Sequence, residues 1–143
     1  MKYLITFLLI FPGYSFACSC AGYDEESVYS ESHNVFIGRL TSFGKRIGNS
    51  LTGYLQPIKI YKGNIGDNSP IHVSGGGCTH IGYIELGSVY LVYSKKGEGA
   101  QIGMCSPTRI IDNDDLEYTK SMLLEFNQKA NKALKSDAER AGS

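Results

Sequence analysis

The chain of 143 residues predicts a mainly β protein, a small Greek-key barrel with a short helix before its strands and a longer one after them. Three observations predict it. Five short segments rich in β-branched and aromatic residues are separated by turns rich in Gly, Asn and Ser. One segment near the C-terminus repeats its apolar residues close to a 3.6 spacing. Four cysteines follow an apolar leader, which in a secreted chain of this size points to two disulfides. Five strands in that arrangement fit an OB-type barrel; a six-stranded sandwich is the competing architecture.

The leader comes first. Lys2 supplies a positive charge, Tyr3 to Phe11 is an apolar run too short to span a bilayer, and Pro12-Gly13 break any helix there. Ser15-x-Ala17 is a small-x-small cleavage site. Residues 1–17 therefore read as a secretory signal peptide, and the expected location is extracellular or periplasmic. Cutting after Ala17 leaves Cys18 as the first residue of a chain beginning Cys18-Ser19-Cys20. Ser15 stands where a lipoprotein signal prefers a Leu-like residue, and acylation of Cys18 would leave an odd number of cysteines.

Each element follows in order. Asp24 to Ser32 reads as a short helix opened by acidic residues. Val35 to Phe43 is the first strand, and Gly38 inside it suggests a bulge or bend. Gly44 to Gly53 is polar and Gly-rich, so a loop or hairpin tip. Tyr54 to Lys62 is the second strand, with Pro57 marking an edge or irregularity. Pro70 to Ser74 is the third. Ser88 to Ser94 is the fourth, and its unbroken apolar run predicts burial on both faces, as in a barrel wall beneath a helix. Lys95 to Ala100 is a hairpin loop and Gln101 to Cys105 the fifth strand. Asp112 to Leu134 is the long helix, its stripe made by Leu116, Met122, Leu123, Phe126, Ala130 and Leu134. The barrel domain thus spans 18–135, and 136–143 reads as a frayed tail.

Composition narrows the function. The mature chain carries 13 basic and 14 acidic groups, with no basic stripe interleaved with aromatics, so nucleic acid is not an expected partner. No activated Ser or Cys nucleophile, no His-Glu-x-x-His and no phosphate loop is visible, so the chain does not read as an enzyme and no cofactor is expected. Cys18, Cys20, Cys78 and His80 could be read together as zinc ligands, but secretion favours disulfides, and Cys-x-Cys is not the usual ligand spacing. Cys18–Cys20 pairing would be strained across one residue, so the N-terminal cysteines pair with Cys78 and Cys105, in either order.

Cys18-Ser19-Cys20, then Tyr61-Lys62-Gly63, Cys78, Tyr90-Leu91-Val92 and Cys105, taken in that order, resemble the N-terminal domain of tissue inhibitors of metalloproteinases, a member of the netrin-like group with an OB-type barrel. The resemblance covers roughly Cys18 to Cys105. It implies the pairs Cys18–Cys78 and Cys20–Cys105. It also implies a zinc metalloprotease as partner, contacted by Ser19, Cys20, Ala21, Gly75, Gly76, Gly77 and Cys78. The chemistry is that of the new N-terminus. The amine and carbonyl of Cys18 can close a five-membered chelate on the protease's open zinc position, and an α-amino pKa of about 7.7–8.0 makes deprotonation cheap at neutral pH. The bridges would hold the terminus rigid, Ser19 would face the specificity pocket, and Gly75 to Gly77 would run alongside. The sequence departs from the family in lacking a third disulfide and the family's disulfide-rich second domain, and in placing side-chain-free glycines before Cys78. The alternative function is a netrin-like binding module, secreted or lipid-anchored at Cys18, which meets its partner through the loops Gly44 to Gly53 and Lys95 to Ala100; in either reading a monomer is expected. A membrane is an expected partner only in the lipid-anchored form.

Overall fold

The computed structural model describes residues 20, 22–74, 84–103 and 105–141. Among them the chain forms α1 (Glu25–Glu31), β1 (Asn34–Phe43), β2 (Ser50–Lys62), β3 (Ser69–Ser74), β4 (Val89–Ser94), β5 (Ala100–Ile102), β6 (Arg109–Ile110) and α2 (Asn113–Ala141). The strands join in the order β5-β3-β2-β1-β4-β6. All neighbours are antiparallel except β3 and β5, which run parallel. Because β4 also approaches β5, the sheet curls into a nearly closed Greek-key barrel of the OB type.

Closure requires strands to bend, and the β1–β2 ladder is irregular at three points, with the extra residue on β2 at two of them and on β1 at the third. Pairing between β1 and β2 shifts register at Val35/Phe36, Ile37/Gly38 and Leu40/Ser42, and each extra residue adds local twist. Gly38 faces Pro57 across one of these shifts. A residue without a side chain and a residue without an N–H therefore meet where the ladder is broken anyway.

The barrel has two cores, one on each side of its wall. Phe36, Leu40, Leu55, Ile71, Val73, Tyr90, Val92, Ala100 and Ile102 fill the interior. Val35, Ile37, Tyr61, Leu91 and Tyr93 point outward and are covered by Tyr29 of α1 and Leu123 of α2. Successive residues of β4 alternate between the two cores, so Tyr90 to Ser94 are all buried. That alternation is why its sequence reads as a continuous apolar run.

Four elements differ from the sequence expectation. β2 begins at Ser50 rather than Tyr54, because Gly53 is an in-strand close approach and not a loop residue. A Cβ there would lie 2.7 Å from Leu40 Cδ1 and 2.9 Å from Ile71 Cγ2. β5 ends at Ile102, and Cys105 sits in a turn beyond it. A sixth strand, β6, pairs with Tyr90 and Leu91 of β4; two residues carry no periodicity to reveal it. The stripe of α2 is buried only as far as Phe126. Ala130 and Leu134 are exposed, Leu134 at 69%, and the helix continues to Ala141 through most of the stretch expected to fray.

Candidate functional site

Cys20 is the one described residue of the N-terminal Cys-Ser-Cys, and its position is set by a bond. It is joined to Cys105 with the two Cα atoms 5.3 Å apart, the pairing implied by the family resemblance. Parallel pairing of β3 and β5 sets Val73 beside Ile102. The chain leaves β5 for Cys105 on the same edge at which β3 leaves for Gly75. Cys20 is tied to the turn that follows β5, where Ser106 Oγ donates back to the Gln101 carbonyl. The start of β2 lies at the end of β3, since Ser50 pairs with Ser74. Cys18, Ser19, Ala21, Gly75, Gly76, Gly77 and Cys78, and the Cys18–Cys78 pairing with them, lie outside the described residues.

The chain just past Cys20 is seated with unusual care. Asp24 caps α1, its carboxylate accepting from the Ser27 N–H at 2.9 Å. At the other end of α1, Lys62 Nζ donates to the carbonyls of Tyr29 at 2.9 Å and Ser30 at 2.8 Å, which complements the negative end of the helix. Tyr29 lies beneath that ammonium and donates its hydroxyl hydrogen to the Tyr61 carbonyl. Partial burial pushes the Lys62 pKa down. Gly63 adopts φ +84°, and a Cβ there would collide with Asn34 and the His33 carbonyl. The Tyr61-Lys62-Gly63 triplet thus has a local reason. Tyr61 fills the outer core, Lys62 clamps α1, and Gly63 lets the chain turn away.

Charged contacts complete the seat. Glu25 pairs with Arg109 of β6 at 2.7 Å, and Glu26 pairs with Lys129 of α2 at 3.0 Å. Tyr29 and Phe126 meet with ring centroids 5.6 Å apart. Tyr93 lies in the outer core near Glu25 and Arg109, and burial raises its pKa strongly, helped by the Glu25 charge. Glu25, Arg109 and Tyr93 carry no motif and are not visible as partners in the sequence. They meet because β6 lies beside β4 and α1 packs across both.

The loops Gly44 to Gly53 and Lys95 to Ala100 follow opposite ends of β1, since Asn34 at its start pairs with Ser94, immediately before the second loop. Their last residues, Gly53 and Ala100, flank Ile71 of β3 from either side. His72 sits on a strand beside Thr52, with Thr52 Oγ1 3.2 Å from its Nδ1, and among the described residues no group of three or more His, Cys, Asp or Glu side chains is placed to hold a metal ion. The chain matches no protein-family model, and no curated protein matches it.

Proposed function

We propose that the protein is a secreted, netrin-like inhibitor of zinc metalloendopeptidases, similar to the N-terminal domain of tissue inhibitors of metalloproteinases, whose working part is a mature terminus at Cys18. The observation that carries the reading is the Cys20–Cys105 bridge on an OB-type barrel. It fastens the third residue of the proposed mature chain to the turn that follows β5, the parallel neighbour of β3. A pinned terminus loses little freedom on binding, so the amine and carbonyl of Cys18 can be offered to a metal at low entropic cost. Cys18–Cys78 pairing completes the anchor. Ser19 faces the protease's specificity pocket, and Gly75, Gly76 and Gly77 offer backbone contacts beside it. Cys20, Ala21 and Cys78 complete the contact set.

The test is chemical. Secreted protein is expected to show an intact mass corresponding to a start at Cys18, two disulfides and no acyl chain. That form slows a zinc endopeptidase, and a form with one alanine added before Cys18 does so far less, because the added residue removes the free amine from the chelate. Equal potency of the two forms would sink the chelation mechanism.

A further inference from the structure

We propose that the tip of the β1–β2 hairpin is a docking surface for an anionic lipid membrane, with Ile47, Phe43 and Tyr54 entering the interface and Lys45 and Arg46 drawn to the headgroups. Between Glu31 and Asp67 the chain has no acidic residue, yet it carries Arg39, Lys45, Arg46, Lys59 and Lys62. The whole chain has a formal charge of zero, so this hairpin is a cationic unit on a neutral molecule. Three of its cations donate to backbone carbonyls: Lys62 clamps α1, Arg39 bonds Gly87, and Arg46 Nε bonds Gly48 within the tip itself at 3.1 Å. Lys45 and Arg46 stand at the tip and form no ion pair among the described residues.

The apolar residues beside them are held in water by backbone bonds. Ile47 is 73% exposed, although its N–H and carbonyl both bond Ser50, at 2.9 and 3.0 Å, around a turn with Gly48 at φ 58°. It cannot fold back onto the barrel without breaking that turn. Phe43 and Tyr54 are 43% and 37% exposed. Phe43 pairs with Gly53 and Tyr54 with Ser42, so the two rings leave opposite faces of the ribbon. Apolar groups on both faces and at the apex make a finger that inserts, whereas docking on a flat protein surface needs one apolar face. Flanking cations suit a negatively charged bilayer, which attracts each Lys or Arg near its surface, and a tyrosine is at home where one end is apolar and the other wet. A soluble polyanion such as a glycan or an oligonucleotide would use the two cations and leave Ile47 in water.

Co-sedimentation with vesicles tests this, with phosphatidylglycerol-rich and pure phosphatidylcholine vesicles compared. Each variant is read as a ratio to the parent protein, so any contribution from residues 1–19 cancels. The parent favours the anionic vesicles, and raising the salt weakens it. Lys45→Ser with Arg46→Ser lowers partitioning about 30-fold. Ile47→Thr, which keeps the β-branch the turn accepts, lowers it about tenfold. Lys95→Ser with Lys96→Ser makes the same charge change beyond the opposite end of β1 and leaves partitioning unaltered. The proposal is overturned by equal partitioning onto the two vesicle types, by a Lys95/Lys96 pair as damaging as the tip pair, or by an inert Ile47→Thr. It is also overturned if a heparin fragment or an oligonucleotide binds while vesicles do not. None of these readouts involves a protease, so failure here leaves the inhibitory reading standing.

Discussion

Replacing Cys20 and Cys105 together by serine removes a cross-link between residues 85 apart in the sequence. In the chain-entropy account a disulfide stabilises by restricting the unfolded chain, and a closed loop of that length is worth about 4.6 kcal/mol at 25 °C. That figure applies when no other bridge restricts the same loop. With the proposed Cys18–Cys78 bridge in place, the shortest covalent path from Cys20 to Cys105 runs through that bridge and spans only about 30 residues, which lowers the loss to about 3.6 kcal/mol. The pair substitution therefore costs more in a Cys18→Ser/Cys78→Ser background than in the parent, by about 1 kcal/mol. Guanidinium unfolding of the four proteins under non-reducing conditions measures this, with the midpoint and slope fitted together. A loss below about 1 kcal/mol in both backgrounds would refute the claim that this bridge anchors the terminus. Identical losses in the two backgrounds would refute the Cys18–Cys78 pairing.

The buried tyrosines predict an alkaline limit. Burial raises the pKa of Tyr29, Tyr61, Tyr90 and most strongly Tyr93, so the folded state keeps protons that the unfolded chain gives up near pH 10. Their contribution is fully present below that pH and is lost as the pH rises above it, while Lys62, whose folded pKa is lowered, acts in the opposite sense. Tyr93→Phe is expected to flatten the fall between about pH 10 and 11.5 in thermal melts, and to be neutral or stabilising at pH 7, because the hydroxyl it removes is buried with no hydrogen-bond partner among the described residues. A steeper alkaline fall in the variant would contradict this. On α2, Leu123→Ala is expected to cost about 2–5 kcal/mol and Leu134→Ala less than about 0.5 kcal/mol, since Leu123 is fully buried and Leu134 is exposed. Comparable losses, measured by denaturant unfolding, would place Leu134 against a surface the barrel does not present.

Much of the fold is legible in individual segments. β4 declares burial on both faces by an apolar run with no polar interruption, and its residues do alternate between two cores. Gly38 and Pro57 each signal an irregularity, and they meet across a register shift. Gly53 is misleading for an equally local reason: a glycine that makes a turn and a glycine squeezed between Leu40 and Ile71 are the same letter. Ala130 and Leu134 continue the helical period of α2, but periodicity records which face would be apolar and not whether a surface lies opposite. On the candidate site, Tyr61-Lys62-Gly63 is conspicuous as a triplet, yet its clamp on α1 depends on a helix 32 or 33 residues earlier in the chain.

Taken alone, the sequence determined what a single strand or helix can express: the β-forming segments, the acidic start of α1 and the two-sided burial of β4. Those properties depend on side-chain spacing along one segment. Only the tertiary structure decided that Cys20 bonds Cys105, that β3 and β5 are parallel neighbours, that β6 exists, and that Glu25, Arg109 and Tyr93 meet. Loop-closure entropy varies only with the logarithm of loop length, so it barely distinguishes one cysteine pairing from the crossed one. Barrel closure does distinguish them, because it sets which strand ends share an edge, and that is a property of the whole chain.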